Sequence, residues 1–136
     1  MKGILILTLS TLLFTSSYAQ DEACWGETED QKTLCREAYG IWQGDREQGS
    51  VDIAYQSWLK VKGICPPCVS EKLYTERAKY FSAFMKKNKS DSVVQQMYLD
   101  SLLHMYDARI EYFPRKKAYV QGKYGTQLFK YRPAEY

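Results

Sequence analysis

The residues best suited to chemistry are Cys65 and Cys68, separated by two prolines in the run Cys65-Pro66-Pro67-Cys68. At the start of a helix such a pair has its first thiol pKa lowered, because the positive end of the helix favours thiolate, the species that exchanges disulfides. An exchange site of this kind needs a strand before the pair and more strands around it. Here both flanks carry helical periodicity, so the motif reads first as a structural element, with a thiol-disulfide oxidoreductase as the alternative. Zinc is a weaker reading: structural zinc takes two close cysteine pairs, and ten residues separate Cys24 from Cys35. His104 is the sole histidine, so neither a hydrolytic triad nor a zinc protease can be assembled. Asp100 and Asp107 share a helix face about 10 Å apart in rise, an unspecific carboxylate pair. Asp107 with Arg109 reads better as a helix-packing or groove-capping set. No catalytic residue, metal site or cofactor is therefore expected.

The elements that must position these residues begin with an export signal. Residues 1–19 carry a basic start at Lys2, an apolar stretch from Ile4 to Phe14 and small residues at Ser17 and Ala19, the pattern of a secretory signal peptide cleaved before Gln20. The apolar run is interrupted by Thr8, Ser10 and Thr11 and falls short of the roughly 20 residues of a membrane span. No transmembrane segment is thus expected after cleavage, and the exported chain is placed in the periplasm or cell envelope. The mature chain has the size of one domain. The formal charge of +3 is too small to imply nucleic acid.

Charge is nonetheless polarised along the sequence. An acidic segment, residues 20–30, holds Asp21, Glu22, Glu27, Glu29 and Asp30 and no base; residues 115–132 hold Arg115, Lys116, Lys117, Lys123, Lys130 and Arg132 and no acid. Either the two ends attract each other, or the basic end meets an acidic partner, or both are solvated surface.

From residue 31 to 136 the apolar pattern is helical, and no window alternates with period two. A first helix over about 31 to 46 places Leu34, Ala38, Ile41 and Trp42 in phase, with Asp30 or Thr33 as its cap. Gly49-Ser50 marks the connection, with Ser50 placed to cap a second helix carrying Val51, Ala54, Tyr55, Trp58, Leu59 and Val61, stopped by Gly63 and Pro66-Pro67. A third begins near Ser70 and buries Leu73, Tyr74, Ala78, Phe81, Phe84 and Met85. A fourth carries Val94, Met97, Tyr98, Leu102, Met105, Tyr106 and Ile110 up to Phe113-Pro114, and a fifth, about 118 to 130, carries Tyr119, Val120, Tyr124, Leu128 and Phe129. The expected architecture is all-α: antiparallel helical hairpins stacked with a repeat of about 35 residues, plus an unpartnered last helix that is either a cap or the sign of a longer protein.

In an antiparallel hairpin the beginning of the first helix lies beside the end of the second. Of the three possible pairings this geometry favours Cys35 with Cys65, leaving Cys24 for Cys68, in an oxidising compartment.

Gly49, Ala54, Trp58, Val61 and Pro66 resemble the turn, small residue, aromatic, aliphatic and closing proline of a tetratricopeptide repeat. Ala54-Tyr55-x-x-Trp58 with Cys65-Pro66, Leu102-Leu103-x-x-Tyr106-Asp107-x-Arg109-Ile110-x-Tyr112-Phe113, and Tyr119-Val120-x-Gly122-x-x-Gly125 running to Lys130-Tyr131-Arg132-Pro133 are similar to an exported, tetratricopeptide-like family of Bacteroidetes-type bacteria. That resemblance implies a short right-handed solenoid and no assigned activity. The expected function is a non-enzymatic scaffold that docks another envelope or secreted protein. Its candidate contacts are the amphipathic and basic residues Tyr112, Lys116, Lys117, Tyr119, Lys123, Tyr124, Tyr131 and Arg132. A cell-surface glycan binder using exposed tyrosines is the remaining alternative.

Overall fold

The computed structural model describes residues 22–135, and among these there is no strand. The signal peptide expected over residues 1–19 lies outside the described residues. The described residues include five long α-helices in order: α1 (Glu29–Glu47), α2 (Val51–Ile64), α3 (Glu71–Lys87), α4 (Ser92–Tyr112) and α5 (Lys117–Tyr131). Single 3-10 turns lie at Pro114–Lys116 and Pro133–Glu135. Helix α1 packs on α2, α3 on α4 and α5 on α4, with α2 against α3 joining the two hairpins.

Local chemistry sets the boundaries. Thr28, rather than Asp30 or Thr33, caps α1: its hydroxyl accepts from the Gln31 amide while the Gln31 side chain accepts from the Thr28 amide, a reciprocal capping box. Ser50 caps α2 and Ser70 caps α3 as the sequence predicts, and Asp91 caps α4 by accepting from the Val94 amide. Gly49 sits at φ +81°, where a side chain would be strained, and so permits the tight α1–α2 turn. Gly63 does not stop α2, which runs through it to Ile64. The stop comes from Pro66, which drives Cys65 into an extended conformation at φ −88°, ψ 145°.

The core runs through both hairpins. Trp42, Val61, Met85, Leu99, Leu102, Met105 and Val120 are fully buried. Two buried indoles are satisfied: Trp42 Nε1 donates to the Tyr80 hydroxyl at 3.0 Å, and Trp58 Nε1 donates to the Leu73 carbonyl at 2.9 Å. Tyr55 anchors an aromatic cluster with Trp58, Tyr80, Phe81 and Phe84 at centroid separations of 5.0–6.1 Å.

Seven positions expected on apolar helix faces are exposed: Leu34, Ile41, Val51, Leu59, Met97, Tyr119 and Phe129. Leu34 is 55% and Ile41 61% exposed, because α1 is rotated to turn Cys35, Tyr39 and Trp42 inward, and Met97 is 53% exposed while Leu99 and Leu103 take the α4 interior. Tyr74 and Ala78 are only partly buried, and Glu76, Tyr80 and Arg109 are buried instead.

Candidate functional site

The Cys65-Pro66-Pro67-Cys68 run forms the corner between the hairpins, and its two cysteines are bridged to other residues. Cys35 pairs with Cys65 across the open end of the first hairpin, Cα atoms 5.0 Å apart, and Cys24 pairs with Cys68 at 5.4 Å, as the hairpin geometry expects. Cys65 is the C-cap of α2 and Cys68 lies ahead of the Ser70 cap of α3. No strand flanks them among the described residues. Two disulfides fit an oxidising compartment. Among the described residues no group of three or more His, Cys, Asp or Glu could hold a metal, and no helix is long and apolar enough to cross a membrane.

The polarised charge resolves locally. Glu22 accepts from Arg36 at 2.8 Å and pairs with Lys32, and Glu29 pairs with Lys32 at 2.7 Å, so the described acids of the N-terminal segment that form ion pairs do so with α1. At the other end Lys116 and Arg132 meet acids of α3 and α4, so the described ion pairs do not join the two ends.

Of the residues compared with a repeat motif, Gly49 lies in the α1–α2 turn, Ala54, Trp58 and Val61 on the buried face of α2, and Pro66 beyond its end. The eight candidate contact residues do not form one patch. Tyr112 lies beside Tyr74, its ring centroid 6.5 Å away. Tyr124 is half-buried against Tyr106, Tyr131 is half-buried, and Lys117 is exposed at the first position of α5. Arg132 donates to Gln96 and Asp100, both at 2.6 Å. Tyr119 and Lys123 do come together, with the Lys123 ammonium 5.5 Å from the Tyr119 ring centre.

Those two residues border an open groove of ≈ 570 Å³ between α3 and α5, floored by Tyr106 and Arg109 of α4. The α3 wall alternates small residues, Thr75, Ala78, Ser82 and Ala83, with Lys79 and Lys86, and no acidic residue lines the groove. Arg109, with 6% of its side chain exposed, donates twice to Glu71 Oε1 at 2.7 and 3.0 Å, while Lys116 donates to Oε2 at 3.3 Å. Burial pushes the Glu71 carboxyl up, but hydrogen bonds and charge from Arg109 and Lys116 outweigh it and hold the group below its ordinary value. Lys79 is held by Glu76 at 2.7 Å. Lys86 and Lys123 have no carboxylate within ion-pair distance among the described residues, leaving their charge to the groove.

A second concavity, ≈ 300 Å³, lies where the end of α2 meets α3 and α4, walled by Trp58, Val61, Pro66, Pro67, Leu73, Tyr74, Ala108 and Tyr112, with Lys62, Arg77 and His104 adding polarity. Arg77 lies over two rings, its guanidinium carbon 4.8 Å from the centres of both Trp58 and Phe81. Its Nε is buried without an acceptor, and no carboxylate pairs with it among the described residues. Burial lowers its pKa, although a guanidinium stays charged at neutral pH. The ring faces offset part of that desolvation, about 2 kcal/mol for a desolvated cation–π contact. Tyr74 donates to the Pro67 carbonyl at 2.9 Å, and burial, reinforced by Tyr112 and Glu111, pushes its hydroxyl up to about 12.

Sequence reasoning misses Arg77. A signal is present nonetheless: Arg77 falls in phase with Leu73, Phe81 and Phe84, a lone cation on an otherwise apolar helix face.

No protein-family model, curated protein or solved structure matches the chain.

Proposed function

We propose that the protein is an exported, non-enzymatic scaffold whose two hairpins and α5 stack as a short tetratricopeptide-like right-handed solenoid. Its α3–α5 groove docks an acidic segment of another envelope or secreted protein. One observation carries this reading: a groove lined by Lys79, Lys86, Arg109 and Lys123, with no acid in its wall and Tyr119 59% exposed at its edge. Small residues along α3 let a partner backbone approach closely. The lysines orient an acidic chain, and Tyr119 supplies the amphipathic anchor common at interface centres. The two disulfides support the exported compartment.

The test uses the mature, oxidised protein as bait on its native envelope fraction, alongside the triple variant Lys79→Glu, Lys86→Glu, Lys123→Glu. The expected result is a partner whose acidic segment crosslinks to Lys123, whose retention falls with salt and which the triple variant loses. Retention by the triple variant equal to that of the parent would reject the groove as the docking surface.

A further inference from the structure

The pocket beside Pro66-Pro67 lies on a different side of α3 from the groove, since Leu73, Tyr74 and Arg77 face it whereas Ala78, Lys79, Ser82 and Lys86 face the groove. We propose that this pocket binds a carboxylate joined to a flat apolar group, with the carboxylate on the Arg77 guanidinium and the apolar body against Tyr74, Tyr112 and the two prolines.

The lining and size of the cavity point to that chemistry. Arg77 is a cation without a counter-charge in a cavity whose wall is largely apolar, and no acid lines it. The partly buried guanidinium lies against two rings with no carboxylate partner among the described residues, and a ligand anion can supply one. Nε is enclosed, so a ligand carboxylate would meet the two outer nitrogens of the guanidinium end-on, in the two-point contact that a planar carboxylate makes with it. The volume of ≈ 300 Å³ is at the lower end of small-molecule sites and suits a single ring or one side chain. Lys62 and His104, at the same pocket, add polar donors.

Two sources share this chemistry, a free aromatic acid and the last residue of a peptide. The experiment titrates the mature, oxidised protein with phenylacetate, phenylacetamide and an acetylated peptide ending in phenylalanine, the peptide both with a free carboxyl and amidated. Binding is followed by the Arg77 Nε–H resonance and by calorimetry. The expected result is saturable one-to-one binding of the carboxylates that shifts that resonance, with the amides weaker by about tenfold or more. Tighter binding of the free-acid peptide than of phenylacetate assigns the site to a chain end, and the reverse order assigns it to a free acid.

Arg77→Gln should lose the preference for carboxylate over amide. Because Arg77 also packs on Trp58, Ala108→Phe provides an independent variant that fills the cavity and leaves the cation in place, and it should abolish binding. Lys123→Glu, in the groove, should leave it unchanged. Equal binding of acids and amides, no binding of either carboxylate, or full binding by Ala108→Phe would overturn the proposal.

Discussion

The first hairpin and the rest of the molecule are held together differently. α1 and α2 are tied by Cys35–Cys65, anchored to the start of α3 by Cys24–Cys68, and leave Leu34, Ile41, Ile53, Leu59 and Ile64 exposed. The α3–α5 region beyond Cys68 has no cysteine. It relies on Met85, Leu99, Leu102, Met105 and Val120 packed without exposure, and on Arg109 clamped by Glu71. Covalent closure lets a two-helix unit stand with a small core, because the bridge restricts the unfolded chain instead of adding buried surface. Close packing in turn leaves α3 and α5 free to present a charged groove.

The largest expected effect separates the two halves most clearly. Each bridge closes a loop of 30 or 44 residues, so loop-closure entropy gives about 3 to 4 kcal/mol apiece, and removing both should lower stability by about 7 kcal/mol. Under mild reduction, hydrogen exchange should speed up in α1 and α2 before α3 to α5 respond. Simultaneous loss across all five helices would dissolve the distinction. Next comes Leu102→Ala, which empties a fully buried site in α4 and should cost about 4 kcal/mol in a denaturant titration, with protection falling first in α3 to α5.

Glu71→Gln should cost about 3 kcal/mol, because it leaves buried Arg109 without its carboxylate. This clamp also has a pH signature. The folded Glu71 pKa lies below its unfolded value of 4.5, so its stabilisation is present above that value and is lost as pH falls through the folded pKa. Glu71→Gln should flatten that part of the acid limb in a melting-temperature series, and an unchanged limb would show that the clamp does not govern acid stability. The smallest effect is Thr28→Ala, about 1 kcal/mol from the capping box, read as fraying of the first turn of α1.

How much the sequence discloses depends on the range of the interactions. Ser50, Ser70 and the turn at Gly49 depend on residues next to them and are readable. The Thr28-x-x-Gln31 box is equally local, although Asp30 and Thr33, nearer the apolar run, compete with it as expected caps. The cysteine pairing follows from hairpin geometry alone. The rotation of α1 does not, since Leu34 and Ile41 have the hydropathy of core residues, and only contacts such as Trp42 with Tyr80, 38 residues on, decide which side turns inward. Arg109 with Glu71 is equally distant in sequence, and Lys116 and Arg132 look available until the fold brings their acids near. Arg77 is hardest to read, because its significance is the lack of a carboxylate partner among the described residues, and sequence periodicity reports only which neighbours are possible.

A motif with the look of a reactive dithiol thus serves as a staple between two helical hairpins. Non-reducing proteolysis of the oxidised protein, with peptide mass mapping of the products, tests this most directly. Cross-linked peptides joining Cys24 to Cys68 and Cys35 to Cys65 are predicted; a bridge between Cys65 and Cys68, with Cys24 joined to Cys35 or free, would contradict the assignment.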